Sequence, residues 1–250
     1  MSRKKFQFPH AQNLHNPQKV METIADYIVQ NVPSNRALNI LEAGCGRQWR
    51  LNLKEIEYTL TGVDLDENAL DIRKNKQKDL DIAIVADLRT LSLEENHYDI
   101  IWSQNVLEHV DGAETVLENF IKWLKPGGVM ILLFPNRDSA YGFVTRMTPF
   151  WVHVFYKKYI QGNKNAGKPG YDPYPVSFDK VISRNGIYEF CRKHKLTIRA
   201  EYRMDVRMVR RQSIWFLMEL LLWGLHLISL KKLSVDYRYL IYIIQIPEYS

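Results

Sequence analysis

Apolar runs that alternate with amphipathic stretches limit this chain to one class of fold. Between residues 38 and 134, five short runs are apolar almost without interruption, and helical patterning or turn residues separate them. Strands with this composition are buried on both faces, and strands alternating with helices pair in parallel through right-handed crossovers. The pattern therefore predicts an α/β fold with a doubly wound sheet. The predicted strands are 38–43, 58–63, 82–86, 98–103 and 129–134, with helices near 67–78 and 112–124.

The segments on either side of these strands extend the same domain. A helix is predicted at 18–30, after Pro17. Regular patterning resumes late in the chain with a helix near 186–194, strands at 196–203 and 237–246, and an apolar stretch at 213–230. We expect one domain composed of an N-terminal helical cap (1–36), a core (37–136), a substrate-side insert (137–180) and a C-terminal part of the sheet (181–250).

Amino-acid composition says more about the cellular compartment of the protein than about its function. The only cysteines, Cys45 and Cys191, are far apart and lack metal-like spacing, which favours a reducing compartment. The first residues lack the apolar segment of a secretory signal, so we expect a cytoplasmic protein. The net charge of +6 is compatible with nucleic-acid, membrane or anionic partners and distinguishes none of them.

The turn after the first core strand has two spaced glycines, Gly44 and Gly46, followed by Arg47. In dinucleotide-binding turns a third glycine and a helix N-terminus receive the pyrophosphate. Here about a dozen residues separate Gly46 from the next strand, which leaves room for a short or irregular helix at most. The turn therefore predicts a ligand without phosphates.

Five blocks in order resemble the class I S-adenosylmethionine-dependent methyltransferases, in their type-11 small-molecule branch. They are LEAGCG, TGVDLDENAL, ADLRTL, YDIIWSQNVLEHV and LKPGGVMILLFPN, within residues 38–136. The resemblance implies a Rossmann-like sheet of seven strands, mostly parallel with an antiparallel last strand. It also implies S-adenosylmethionine as cofactor. The aromatic insert and an apolar helix between the last two strands would be additions to that fold.

The resemblance assigns roles to residues at the carboxyl ends of the strands. It implies that Glu42 orients the turn and that the two glycines line the methionine moiety. Asp64 would accept the ribose hydroxyls, Leu65 would lie on the adenine, and Asp87 would take the adenine amino group. The matching blocks place four further residues in the cofactor site: Cys45, Leu88, Ser103 and Asn105.

A cluster with acid-base chemistry follows the fourth core strand. Asn105, Glu108 and His109 have the spacing of one face of a helical turn. Ubiquinone-pathway O-methyltransferases have a similar run, with a carboxylate in place of Asn105, and that set is associated with a divalent metal. We predict no metal here. Glu108 has either a local structural role or a part in the site, and His109 is the first candidate base for O-methylation. His153 is the second candidate, with packing as its alternative role.

The insert contains many aromatic residues, which we expect to form the interior of an acceptor pocket. The segment 162–175 is predicted to form a basic loop over its opening. The aromatic residues in question are Tyr141, Phe143, Phe150, Trp151, Tyr156, Tyr159 and Tyr171.

The apolar stretch 213–230 is marginal in length for a membrane span and contains Glu219, and a span would separate the last strand from its partner. Cations flank it: Arg207, Arg210 and Arg211 before it, and Lys231 and Lys232 after it. Three roles remain open: a helix packed on the domain or in a homodimer, a lid over a lipophilic acceptor, or an interfacial helix on a membrane surface.

The leading interpretation is a methyltransferase for a small-molecule acceptor, acting at oxygen on a lipophilic or carbohydrate-linked substrate. The alternatives are a nicotinamide-dependent oxidoreductase or epimerase, and a non-catalytic S-adenosylmethionine-binding module at a membrane surface. The chain has no separate basic module, so we expect no nucleic-acid partner. A peripheral position at the inner membrane surface, through 213–230, and a homodimer are the remaining expectations.

Overall fold

The computed structural model describes residues 11–32, 36–53, 56–168, 170–204 and 213–248. The strands are β1 (Gln12–Leu14), β2 (Leu38–Ala43), β3 (Tyr58–Asp64), β4 (Ile82–Val85), β5 (Tyr98–Gln104), β6 (Leu124–Pro135), β7 (Thr197–Met204) and β8 (Tyr239–Gln245). The helices are α1 (Pro17–Asn31), α2 (Glu67–Asp71), α3 (Ala113–Trp123), α4 (Ala140–Met147), α5 (Phe150–Phe155), α6 (Arg184–Lys193) and α7 (Ser213–Ile228).

The strands form one sheet in the order β1-β7-β8-β6-β5-β2-β3-β4. β8 runs antiparallel to both β6 and β7, and the other pairs are parallel. This confirms the predicted doubly wound sheet with an antiparallel last strand and an apolar helix between the last two strands. The count is eight rather than seven, because β1 adds an edge strand within the segment predicted as a helical cap. Its three residues are too few to show a strand pattern in the sequence.

The core strands are apolar at successive positions because each face of the sheet is covered. Ile40 and Leu41, adjacent in β2, belong to separate hydrophobic clusters on opposite faces. Ile100 and Ile101 in β5 divide in the same way. Helix α1 contributes to one cluster, and α3 and α6 contribute to the other. The double cover confirms the inference from continuous apolar runs.

The helix predicted at 67–78 is α-helical only over α2. Asp66 caps its N-terminus, accepting from the amides of Asn68 at 3.1 Å and Ala69 at 3.2 Å. The chain then continues as a π-helical segment over Ile72–Gln77 and ends at Lys78, whose φ is 57°. The π segment carries a fully buried arginine, Arg73, and therefore turns a charged side chain into the domain.

Helix α7 has 16 residues and packs on α4. Among the helices described, none combines the length and the apolar character needed to cross a membrane. The arginines expected to flank α7, Arg207, Arg210 and Arg211, lie outside the described residues.

Candidate functional site

The glycine turn joins β2 to the open edge formed by the carboxyl ends of the strands. Gly44 and Gly46 both have left-handed backbones, with φ of 73° and 54°. A Cβ on Gly44 would lie 2.2 Å from Val106 Cγ2, so packing alone requires glycine there. A Cβ on Gly46 would meet nothing within 4 Å. The second glycine therefore presents bare backbone to open space, where a ligand can approach closely.

The residues after the turn do not form a helix. Residues 47–53 have no helical structure, and Leu51 and Leu53 are buried instead. This confirms the prediction that the exit from the turn is irregular. The turn thus lacks the helix N-terminus that would favour a pyrophosphate.

Asp64 ends β3 and ties the turn to the neighbouring strand. Its Oδ2 accepts from the amide of Gly46 at 2.7 Å, and its Oδ1 accepts from the amide of Asp66 at 2.9 Å. A carboxylate has about four lone-pair positions, so two remain for other donors. The next residue, Leu65, is 72% exposed, which leaves an apolar side chain beside the carboxylate.

A buried arginine that the sequence analysis did not identify holds the turn from beneath. The Arg73 guanidinium donates to Glu42 Oε2 at 2.9 Å, to the Cys45 carbonyl at 2.9 Å and to Asp79 Oδ1 at 2.7 Å. Burial raises the pKa of Glu42, and the guanidinium opposes that effect. In the sequence, Arg73 precedes Lys74 in a polar helix and has the pattern of a solvent-exposed residue.

Cys45 faces the protein rather than the opening. Its side chain is 4% exposed, and burial raises the pKa of its thiol to about 12. Its sulfur lies against β3, where a Cβ on Gly62 would come within 2.9 Å of it. The thiol is therefore an inert filler, and only the Cys45 backbone is placed at the turn.

Asp87 and Leu88 follow β4. The Asp87 carboxylate accepts from the amide of Arg89 at 2.9 Å and from its guanidinium at 2.5 Å. The hydrogen bonds from the Arg89 side chain and backbone lower the pKa of Asp87, which is therefore ionised at neutral pH. The Leu88 side chain is buried in the core, so a ligand would meet its backbone.

Ser103 and Asn105 lie at the end of β5. Ser103 is 1% exposed, and its hydroxyl has no hydrogen-bond partner among the residues described. Asn105 is exposed with φ of 54°, and a short 3₁₀ turn follows at Leu107–His109. The prediction that Asn105, Glu108 and His109 share a helical face is therefore wrong, because the left-handed residue breaks the helical periodicity before Glu108.

Glu108 and His109 form an uncharged pair at neutral pH. Burial raises the pKa of Glu108 to about 8, and its Oε2 has no partner within the described part of the chain. Burial lowers the pKa of His109. His109 Nδ1 lies 2.7 Å from the carbonyl oxygen of Pro175, so it carries the proton. His109 Nε2, 3.8 Å from Glu108 Oε1, is then left with its lone pair.

His153, the second candidate base, lies in α5. Its Nε2 is 3.0 Å from the Thr145 carbonyl oxygen and 3.2 Å from that of Thr148. Both oxygens are acceptors, so Nε2 must be protonated and holds α5 against the end of α4. This geometry favours the packing role over the catalytic one.

A loop from the insert covers the opening. The Arg47 guanidinium pairs with Asp66 at 3.2 Å and lies over the Tyr171 ring, 4.7 Å from its centroid. Further along, the Ser177 amide donates to the Glu108 carbonyl at 2.8 Å, and the Tyr174 ring meets the His109 ring edge-on at 5.8 Å. The segment from Tyr171 to Ser177 thus contacts both the glycine turn and the acid-histidine pair.

The aromatic side chains of the insert do not all form an interior. Trp151 is 69% exposed and Tyr159 is 64% exposed, with Phe150 and Tyr171 exposed as well. Tyr141 is half-buried and its ring lies 6.3 Å from that of Tyr239 in β8. The expected aromatic interior is therefore wrong for most of α5, because the helix has no buried residue.

A second polar region lies between α3 and α6. It contains a cavity of about 570 Å³ with mixed charges, and Glu114, Glu118 and His194 bring potential metal ligands within 4.8 Å of one another. The Lys193 ammonium already lies 2.8 Å and 3.2 Å from the two carboxylates. None of the predicted cofactor or catalytic residues borders this region, so the site described above is separate from it.

Comparisons with known proteins point to one chemistry. A family model for a methyltransferase domain, of type 11, matches residues 41–132. A malonyl-(acyl-carrier protein) O-methyltransferase of Enterobacter lignolyticus is 29% identical over 136 residues, covering 52% of this chain and 51% of that protein. A ubiquinone biosynthesis O-methyltransferase of Coxiella burnetii is 30% identical over 116 residues, covering 45% and 49%. The chain thus aligns with about half the length of these curated relatives.

A solved structure shares the fold. Phosphoethanolamine N-methyltransferase 2 of Haemonchus contortus, determined in complex with S-adenosyl-L-methionine, superposes with a TM-score of 0.51 at 16% identity. The superposition covers 90% of this chain and 52% of that one. At this identity the likeness concerns the fold alone.

Proposed function

Because the chain belongs to the class I S-adenosylmethionine-dependent methyltransferases, in their type-11 branch, we propose that it methylates a small-molecule acceptor at oxygen. The acceptor we propose is lipophilic or carbohydrate-linked. The observation that carries the proposal is the glycine turn, which presents the bare backbone of Gly46 to open space without a helix behind it. Such a turn suits a ligand with ribose and amino-acid parts better than a dinucleotide pyrophosphate.

The residues around the turn fit S-adenosylmethionine. Two lone-pair positions of Asp64 remain for the ribose hydroxyls, and exposed Leu65 offers an apolar cover for the adenine. The buried Ser103 hydroxyl, unpartnered within the described chain, is a further polar atom for the ligand. We assign Asp87, held ionised by Arg89, to the adenine amino group. When bound, the cofactor supplies an electrophilic methyl group on a sulfonium.

The chain's part in the reaction is to position the acceptor and to receive its proton. Because positioning can supply most of the acceleration of methyl transfer, the chain's residues would hold the acceptor hydroxyl beside the bound cofactor's methyl group. His109 Nε2 carries the lone pair that takes the hydroxyl proton, because Nδ1 is held as a donor by the Pro175 carbonyl. Burial keeps the imidazole neutral at pH 7. The loop over the opening excludes water from this transfer.

The location we propose is cytoplasmic, at the inner surface of the membrane. The two cysteines are unpaired and buried, which agrees with a reducing compartment. The membrane contact is argued separately below, because it depends on a different part of the molecule.

Incubation of purified protein with methyl-labelled S-adenosylmethionine and a cell extract tests the proposal. We expect label in lipid or water-soluble small-molecule fractions and none in nucleic acid. Asp64→Asn should weaken S-adenosylmethionine binding about tenfold or more in calorimetry, since it removes a charged acceptor. Asp71→Asn, on the exposed side of α2, is the matched control and should bind normally. Absence of binding by the wild-type protein would contradict the proposal.

A further inference from the structure

Within residues 219–228, helix α7 pairs its ionisable side chains with protein groups and exposes most of its apolar side chains. Its polar side chains have protein partners: Glu219, which is 47% exposed, pairs with Arg238 at 2.6 Å, and His226 Nδ1 lies 2.6 Å from the Leu233 carbonyl oxygen just after the helix. Leu222, on the same side, is 2% exposed. Within residues 219–228, both ionisable side chains thus have a protein partner, and Glu219 is also partly exposed.

The opposite side of α7 is exposed and apolar. Leu220 is 61% exposed, Trp223 and Leu227 are each 54% exposed, and Ile228 is 81% exposed. These positions recur at helical spacing and form a continuous stripe with Leu221. An exposed apolar stripe of this size is a mark of an interaction surface.

Helix α5 adds a second exposed apolar element. None of its residues is buried, and Trp151 is 69% exposed and Phe155 52% exposed. Helix α4, which packs on α7, leads directly into α5, and His153 holds α5 to the Thr145 carbonyl. The exposed face of α7, together with α5 and the following Tyr156–Ile160 segment, is called the apolar face from here on.

The exposed charges bordering the apolar face are mostly positive, although Lys157 is already paired with Asp172 and an exposed acid, Asp236, lies beyond α7. The sequence from 140 to 171 contains no aspartate or glutamate, but it contains Arg146 and four lysines. Two of these, Lys157 and Lys158, lie in the segment after α5, and Lys231 and Lys232, both exposed, follow α7. The only acid in α7, Glu219, is neutralised by Arg238. A partner for this face must therefore be apolar and anionic together.

From this geometry we propose that the apolar face docks on the surface of an anionic lipid bilayer. Leucine, isoleucine and tryptophan side chains enter the boundary between headgroups and acyl chains, while the lysines contact the anionic headgroups. A two-fold dimer through the same face would bring together two borders in which exposed lysines, Lys158, Lys231 and Lys232, outnumber the exposed acid Asp236. The charge pattern thus selects lipid over a second copy of the chain.

Helix α4, on which α7 packs, lies near the candidate site. Tyr141 of α4 lies beside Tyr239, and burial, followed by the neighbouring Tyr141 and Glu108, raises the pKa of Tyr239. Helix α4 therefore lies between α7 and the region of the acid-histidine pair. Delivery of an acceptor from the bilayer along α4 rests on the proposed function, whereas docking itself does not.

Sedimentation of the purified full chain with vesicles tests the docking. The wild-type protein should sediment with vesicles of phosphatidylcholine and phosphatidylglycerol, and bind pure phosphatidylcholine vesicles at least about tenfold more weakly. The double variant Leu227→Ser/Ile228→Ser should weaken binding to the mixed vesicles about tenfold or more, because it removes exposed aliphatic side chains. Lys231→Gln/Lys232→Gln should weaken it several-fold and reduce its salt dependence.

The matched control removes two exposed aliphatic side chains elsewhere. Ile82 and Val85 in β4, at the far edge of the sheet, are 46% and 55% exposed, and Ile82→Ser/Val85→Ser should bind vesicles normally. All variants should keep the wild-type circular dichroism spectrum and bind S-adenosylmethionine as before, which separates docking from the cofactor site. Equal binding by the wild type and Leu227→Ser/Ile228→Ser would overturn the proposal. So would a lipid-free dimer that this double variant dissociates.

Discussion

The cofactor side of the molecule exposes polar groups, whereas the α4–α5–α7 side exposes apolar ones. At the carboxyl ends of β2 and β3, Asp64 and the glycine turn present acceptors and backbone to open space. In α7, Glu219 and His226 are paired with protein groups, whereas most of the apolar side chains within residues 219–228 are exposed. The first arrangement suits a polar small ligand, and the second suits an apolar partner that the domain itself does not supply.

The two regions also differ in what holds them in place. Beneath the glycine turn, one buried guanidinium joins three separate segments through Glu42, the Cys45 carbonyl and Asp79. Helix α5 has no buried residue, and its His153 is held by carbonyl oxygens at the end of α4 and just after it. Substitutions should therefore have large effects on the cofactor side and small effects on the stability of the other side.

Arg73→Met tests this contrast where the expected effect is largest. The substitution leaves Glu42 buried without its partner, so the free energy of unfolding should fall by about 3–5 kcal/mol. S-adenosylmethionine binding should also be lost, because the Cys45 carbonyl is released and the turn is no longer held. Urea denaturation followed by circular dichroism measures the first effect, and calorimetry measures the second.

The double variant Arg73→Met/Glu42→Met separates two effects of Arg73: pairing with the buried Glu42 carboxyl group and holding the glycine turn. Replacing both partners removes the unpaired acid, so much of the lost stability should return. Cofactor binding should stay weak, since the turn is still not held. If Arg73→Met alone leaves stability unchanged, the guanidinium does not hold the turn.

The sequence predicts the first region better than the second for a physical reason. Strands covered on both faces are apolar at most positions, so β2, β5 and the second half of β6 are evident from composition alone. The direction in which α7 faces is not evident, because a helix that is apolar nearly all round has the same pattern when buried or exposed. The sequence pattern does not show the exposure of α5 for the same reason.

Two features of the candidate site were also beyond the sequence. Arg73 looks like a surface residue in a polar helix, and its burial depends on the π-helical segment and on acids distant in the chain. The left-handed backbone of Asn105 depends on a contact with β6, where its amide donates to the Leu133 carbonyl at 2.8 Å. Both depend on tertiary contacts, which local propensity does not encode.

His109→Ala should lower turnover at least about tenfold while leaving S-adenosylmethionine affinity intact. The reason is that Nε2 has the lone pair needed for the acceptor proton, whereas the cofactor is held by other residues. In the wild type, burial lowers the pKa of His109 from 6.5, so its protonation should reduce turnover only below that pH. Labelled-methyl transfer measured across pH checks both statements.

His153→Ala is the matched comparison. Its ring is tied to the carbonyl oxygens of Thr145 in α4 and Thr148 just after it, so turnover in solution should change less than about twofold while thermal stability falls slightly. Equal losses of turnover in both variants would mean that neither histidine acts specifically as the base. An unchanged rate in His109→Ala would remove it from the mechanism.

The smallest expected effect concerns Arg47, which joins the cofactor side to the loop that contains Tyr171. On one side its guanidinium pairs with Asp66 at 3.2 Å, and on the other it lies over the Tyr171 ring at 4.7 Å. Each contact is partly exposed and contributes at most about 1 kcal/mol. Arg47→Ala should therefore raise the KM for S-adenosylmethionine about two- to fivefold, because a loosened loop must be ordered on binding.

The kcat of Arg47→Ala should stay near the wild-type value, since His109 is still held through Pro175. Arg50→Ala removes an exposed arginine three positions away and should leave both constants unchanged. Steady-state kinetics of the wild type and both variants tests this prediction. Equal increases in the KM for S-adenosylmethionine in both variants would indicate a general charge effect. If KM rises only in Arg47→Ala, the atypical residue after the glycine turn is what fastens the covering loop to the cofactor side.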